Sequence, residues 1–142
     1  MMRVLFLCTG NSARSQMAEG LLREAAAKAG RAAEVASAGT IPRGLHPLTV
    51  TAMAEIGIDI SGAESKHLDR FLAKPWDHVI TVCDQAQESC PVFPGARHML
   101  HWSFRDPAAA TGTDQQRLAG FQAVRDEIRD AVARFLQATP DA

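Results

Sequence analysis

Cys8 ends the apolar run RVLFL and is followed by Thr9, Gly10, Asn11, Ser12 and Ala13, with Arg14 six residues beyond the cysteine. Helical spacing begins at once: after Ser15, the apolar positions Met17, Ala18, Leu21, Leu22 and Ala25 recur at steps of three and four. A loop that leaves a strand and enters a helix carries backbone N–H groups with no partner inside that helix. Gly10 and Asn11 tolerate the left-handed conformations that turn successive N–H groups towards one centre. With the helix dipole and the Arg14 guanidinium, residues Thr9, Gly10, Asn11, Ser12, Ala13 and Arg14 form a receptor for a tetrahedral oxyanion. The same field lowers the pKa of a thiol placed in it. Cys8 is therefore expected to carry substantial thiolate, with Ser15 donating a hydrogen bond to its sulfur. A thiolate beneath a bound oxyanion is a nucleophile aimed at the central atom.

Two further thiols, Cys83 and Cys90, lie in TVCDQAQESCPVFP. Three cysteines is an odd count, which argues against a purely structural disulfide framework. Zinc fits poorly, because no second Cys or His pair sits nearby at ligand spacing. His98 and His101 fall in a predicted strand, where positions three apart point to opposite faces. No metal site is expected. If residues 84–90 are helical, Cys83 and Cys90 stand about 10.5 Å apart along the axis at about 1.5 Å per residue. A disulfide needs Cα atoms within roughly 7 Å, so that pair can close only if the segment unwinds.

Around these residues, strands are predicted over 3–8, 34–39, 78–83 and 96–102. Helices are predicted from Ser15 to Gly30, from Pro47 to Ile56, from His67 to Leu72, and across the stripe Leu118, Phe121, Val124, Ile128, Val132, Phe135 and Leu136. That stripe reads as core packing. The alternation implies one α/β domain over residues 1–142, with a four-stranded, mostly parallel sheet flanked by helices. Ligands of such sheets bind off the carboxyl ends of the strands, where Cys8 and Cys83 are both predicted.

Composition narrows the function classes. Hydrophobic residues make up 46% and charged residues 22% of 142, with a net charge of −1, so nothing points to nucleic acid as a partner. No apolar run approaches the roughly 18 residues of a membrane span, and residues 1–8 are too short for a signal peptide. A cytoplasmic monomer is expected.

The sequence resembles the thioredoxin-coupled arsenate reductases, which share the fold of low-molecular-weight protein tyrosine phosphatases. The resemblance rests on CTGNSARSQMAEG, SAG at 37–39, MAEIGIDIS, VITVC, the CP at 90–91, HWSFRDPA and FQAVRDEI. It implies that Cys8 attacks arsenic in bound arsenate, held by Arg14 and the loop, while Asp106 protonates the leaving oxygen. It further implies that Cys83 attacks the Cys8 adduct and that Cys90 then resolves the Cys8–Cys83 disulfide. Thioredoxin would supply the reducing equivalents, and no bound cofactor is implied. Many members of the family hold potassium through positions matching Asn11, Glu19 and Ser37 plus an aspartate, and here Lys66 stands in that last position. The expectation is that the Lys66 ammonium replaces the ion and potassium is not required.

Two other readings share these residues. A phosphatase would use Cys8, Arg14 and Asp106 without the later cysteines, although this chain has no tyrosine to line an aryl-binding mouth. Phosphatase activity is in any case expected as a side reaction. A thiol redox sensor would form Cys8–Cys83 without needing Asp106.

Overall fold

Met2–Cys8 forms the first strand (β1) and Arg14–Lys28 the first helix (α1). They are followed by β2 (Ala33–Gly39), α2 (Pro47–Ala54), a 3-10 turn (Leu68–Phe71), β3 (Trp76–Thr81) and β4 (Ala96–His101). A second 3-10 turn (Pro107–Ala109) leads into the long helix α3 (Asp114–Ala138). The computed structural model describes residues 1–84, 86 and 93–140. Of the segment 84–90, considered above as a helix, residues 84 and 86 are helical, and the rest, with Cys90, lies outside the described residues.

The strands form one sheet in the order β2-β1-β3-β4, every described pair parallel. Alternation along β1 sets the two cores. Val4, Phe6 and Cys8 face α1 and α3 through Met17, Leu22, Phe121 and Ile128, while Leu5 and Leu7 face Phe71, Trp76 and Val79. The predicted stripe on α3 is buried as expected at Phe121, Val124, Ile128, Val132 and Phe135.

Two expectations are refined. The helix predicted over 67–72 is a short 3-10 helix, Leu68–Phe71. His67 Nδ1 accepts the Asp69 N–H at 3.1 Å, Arg70 N–H reaches back to the His67 carbonyl, and Pro75 disfavours helical geometry at Lys74. The third strand ends at Thr81 rather than at Cys83, although Val82 N–H still donates to the Leu7 carbonyl at 2.8 Å. After β4, the chain makes the Pro107–Ala109 turn, capped by Asp106.

Candidate active site

Between β1 and α1, every carbonyl of the loop is taken up by a neighbour. Those of Cys8, Thr9 and Gly10 accept the N–H groups of Thr40, Ile41 and Arg43 at 3.2, 2.8 and 2.9 Å. The Asn11 carbonyl accepts Gln16 Nε2 at 3.3 Å, and that of Ser12 accepts His46 N–H at 3.1 Å and Thr49 Oγ1 at 2.9 Å. In a planar trans peptide, C=O and the following N–H point opposite ways. Carbonyls turned outward at residues 9–12 therefore turn the N–H groups of residues 10–13 inward. The Asn11 N–H shows this directly, donating to Cys8 Sγ at 3.2 Å. Ala13 sits at the N-cap of α1 without a side-chain cap, and no acidic residue occupies the first turn. The amides and the helix dipole thus remain available to an anion.

Asn11 holds this shape. Its φ of 47° makes it the described non-glycine residue in the left-handed region. Its side chain, fully buried, donates to Ser15 Oγ at 2.8 Å and Ser37 Oγ at 2.9 Å. Its Oδ1 accepts Gln16 Nε2 at 3.0 Å and the Lys66 N–H at 2.9 Å. Both donors and both acceptor positions of the amide are used. Gly39, the glycine of the SAG segment, lets β2 come this close: a Cβ there would lie 2.5 Å from the Thr9 carbonyl and 2.9 Å from the Asn11 nitrogen.

The four positions compared with a cation site converge. Ser37 Oγ donates to Glu19 Oε1 at 2.7 Å, and the Lys66 ammonium stands 3.8 Å from that oxygen while donating to the Glu64 carbonyl at 2.8 Å. Burial pulls the Lys66 pKa down, opposed by Glu19 and Glu64. The donor set does not fit a monovalent metal, since Asn11 Oδ1 already accepts two N–H groups and an ammonium faces Glu19.

Cys8 and Cys83 are both buried and free. Ser15 Oγ lies 2.8 Å from Cys8 Sγ. Burial pushes the Cys8 thiol above its ordinary value of 9.0, with a smaller push from Cys83, against the direction expected from the loop. The Ser15 hydroxyl and the Ser15 and Asn11 amides pull it down without overcoming that burial. Cys83 Sγ is 3.4 Å from Thr9 Oγ1 and also accepts the Ala86 N–H at 3.4 Å, so the second thiol is packed against the anion loop itself. The next residue, Asp84, is held by His101 Nε2 at the end of β4 at 2.9 Å and by Ser103 Oγ just beyond it at 3.1 Å, and these bonds lower its pKa. Arg14 donates from one guanidinium nitrogen to the Phe104 carbonyl at 3.1 Å and places another 3.9 Å from Asp106 Oδ2. Asp106 Oδ1 accepts the Ala108 N–H at 3.0 Å, which fixes a half-exposed carboxylate at the mouth.

Cys8, Arg14 and Asp106 share a cavity of about 330 Å³. Its other wall is Arg43, Gly44, Leu45, His46 and Pro47, none of which stood out in the sequence. Their only advance signal is position, since they follow β2 at the carboxyl edge of the sheet. His46 Nδ1 accepts the Leu48 N–H at 3.1 Å and the ring packs on Phe121, 4.7 Å between centroids. The remaining histidines also have structural contacts: His67 caps its turn, His78 stacks on His98, and His101 bonds Thr81 and Asp84. No helix among the described residues is long and apolar enough to cross a membrane.

Residues 3–141 match the family described as low molecular weight phosphotyrosine protein phosphatase. Over 134 residues, 94% of each chain, this sequence is 45% identical to the arsenate reductase of Halalkalibacterium halodurans and 44% identical to that of Bacillus subtilis. The fold matches a solved arsenate reductase in the phosphate binding state with a TM-score of 0.81 at 32% identity, covering 99% of this chain and 100% of that one. It matches a low molecular weight protein tyrosine phosphatase from T. tengcongensis with a TM-score of 0.79 at 25% identity, covering 98% and 100%. The family match over residues 3–141 and the identity to curated relatives over 94% of the chain agree with the fold, and the chain belongs to the low molecular weight phosphotyrosine protein phosphatase family.

Proposed function

We propose that this protein reduces arsenate to arsenite through Cys8, Cys83 and Cys90, with thioredoxin as the reductant. The observation that carries the reading is the Thr9–Cys83 contact at 3.4 Å, which keeps a second thiol against the anion loop. Hydrolysis of a phosphoester gives that thiol no task.

Cys8 sulfur attacks the arsenic(V) of arsenate held by the loop amides and Arg14, and Asp106 hands a proton to the oxygen that departs as water. With burial holding Cys8 towards the thiol, its proton passes to the basic oxyanion as the two meet. Cys83 sulfur then attacks Cys8 sulfur. The S–As bond breaks with its electron pair staying on arsenic, which leaves as arsenite, arsenic(III), while a Cys8–Cys83 disulfide forms. The strands favour this step: β1 and β3 are adjacent and register Leu7 with Thr81. Cys8 and Cys83 follow closely on these paired ends, and both are buried in the same core. Cys90, which lies outside the described residues, then attacks Cys83, and thioredoxin's dithiol reduces the resulting Cys83–Cys90 bond. The Lys66 ammonium serves as the tethered cation of the Glu19–Ser37–Asn11 network. On this reading the enzyme works as a monomer in the reducing cytoplasm, with phosphoester hydrolysis as a minor side activity.

Arsenate-dependent NADPH consumption with thioredoxin and thioredoxin reductase tests the reading. Multiple turnovers are expected for the wild type and none for Cys8→Ser, Cys83→Ser or Cys90→Ser. Absence of arsenate-dependent consumption, with p-nitrophenyl phosphate hydrolysis intact in Cys83→Ser and Cys90→Ser, would make it a phosphatase.

A further inference from the structure

The segment joining β2 to α2 is fastened along the anion loop by the Ile41, Arg43 and His46 N–H groups. This fixes the Arg43 backbone beside Gly10, and the Arg43 side chain crosses that glycine. A Cβ on Gly10 would sit 3.4 Å from Arg43 Cδ and 3.6 Å from Arg43 Cβ. Arg43 lines the cavity that Cys8, Arg14 and Asp106 share. Whereas Arg23, Arg70 and Arg125 are bound to carboxylates, Arg43 has no ion pair or side-chain hydrogen bond among the described residues.

The electrostatics of the mouth give this cation a purpose. Arg14 spends one nitrogen on the Phe104 carbonyl and stands near Asp106, whose half-exposed carboxylate repels an arriving anion. A guanidinium on the opposite wall, with five N–H donors uncommitted, offsets that repulsion and matches the paired oxygens of a tetrahedral oxyanion. We propose that Arg43 is a second oxyanion-binding residue, which captures the substrate from the mouth side while the loop amides and Arg14 hold it from below. The inference rests on the reading of the loop as an oxyanion receptor.

Protection of Cys8 from iodoacetamide by inorganic phosphate, followed by mass spectrometry of the Cys8 peptide, tests this without turnover. The phosphate concentration for half-protection is expected to rise about tenfold in Arg43→Ala, the loss of one charge-assisted contact. Arg43→Gln, which keeps the stem across Gly10, should lose as much, and Arg43→Lys should recover part. In turnover, KM for arsenate should rise in Arg43→Ala with kcat retained. Equal half-protection in wild type and Arg43→Ala would overturn the role of Arg43. If phosphate failed to protect Cys8 in the wild type, the receptor itself would be wrong, and the inference would fall with it.

Discussion

Asn11 shows how much of the site depends on one amide. It takes the left-handed turn and ties the loop to α1, to β2 and to Lys66. Asn11→Asp keeps the shape but replaces two donors with a buried carboxylate, beside Ser37 whose hydroxyl already serves Glu19. Denaturant titration should show a loss of about 3 kcal/mol, since an uncompensated buried charge costs that much. Ser15 acts on chemistry more than on stability. Its hydroxyl is the foremost influence lowering the Cys8 pKa, so Ser15→Ala should move the pH profile of Cys8 alkylation to higher pH. The sign for stability follows from the same shift. Folding holds the Cys8 proton more tightly than the unfolded chain does, so this contribution is complete below the ordinary thiol value of 9.0. It is lost as pH rises through the folded value, and Cys8→Ala should flatten that alkaline limb of a melting-temperature profile.

At the scale of elements, the close approach of β2 to the anion loop is the tightest constraint. Gly39→Ala forces a methyl group against backbone at Thr9 and Asn11, where no flexible side chain can yield. A loss of about 3 kcal/mol is expected by denaturation, together with loss of phosphate protection at Cys8. Most elements were legible because their signals are local: the β1 run, the α3 stripe and the Gly-Asn turn each state their structure within a few residues. Cys8, Arg14 and Ser15 were legible for the same reason. The wall made by Arg43 and His46 was not, because its position depends on hydrogen bonds to carbonyls 30 or more residues earlier in the chain. The burial that raises the Cys8 pKa was not legible, because a sequence shows the donors around a sulfur but not how deeply folding buries it.

For the whole molecule, Lys66 joins parts distant in sequence. Its backbone N–H meets Asn11, its ammonium meets Glu19 of α1, and Glu19 holds both Ser37 of β2 and Arg23. With an ammonium already there, the melting temperature should be the same in potassium and sodium chloride. Lys66→Asp should convert the network to one that prefers a mobile ion, and potassium should then raise the melting temperature over sodium by about 3 °C. A wild type stabilised markedly by potassium would show that the ammonium does not fill this role.

The inward amides of the anion loop carry a consequence for selectivity. Backbone N–H groups register charge and tetrahedral shape, and neither distinguishes phosphorus from arsenic. On the proposed chemistry, the two oxyanions therefore compete for the same cradle on nearly equal footing, and discrimination moves downstream of binding. A phosphorus ester on Cys8 offers Cys83 no atom that will accept an electron pair, so it leaves only by hydrolysis. An arsenic ester is drained by the second thiol. In a phosphate-rich cell, throughput would then follow the ratio of the two oxyanions rather than the concentration of either, making the enzyme a kinetic filter.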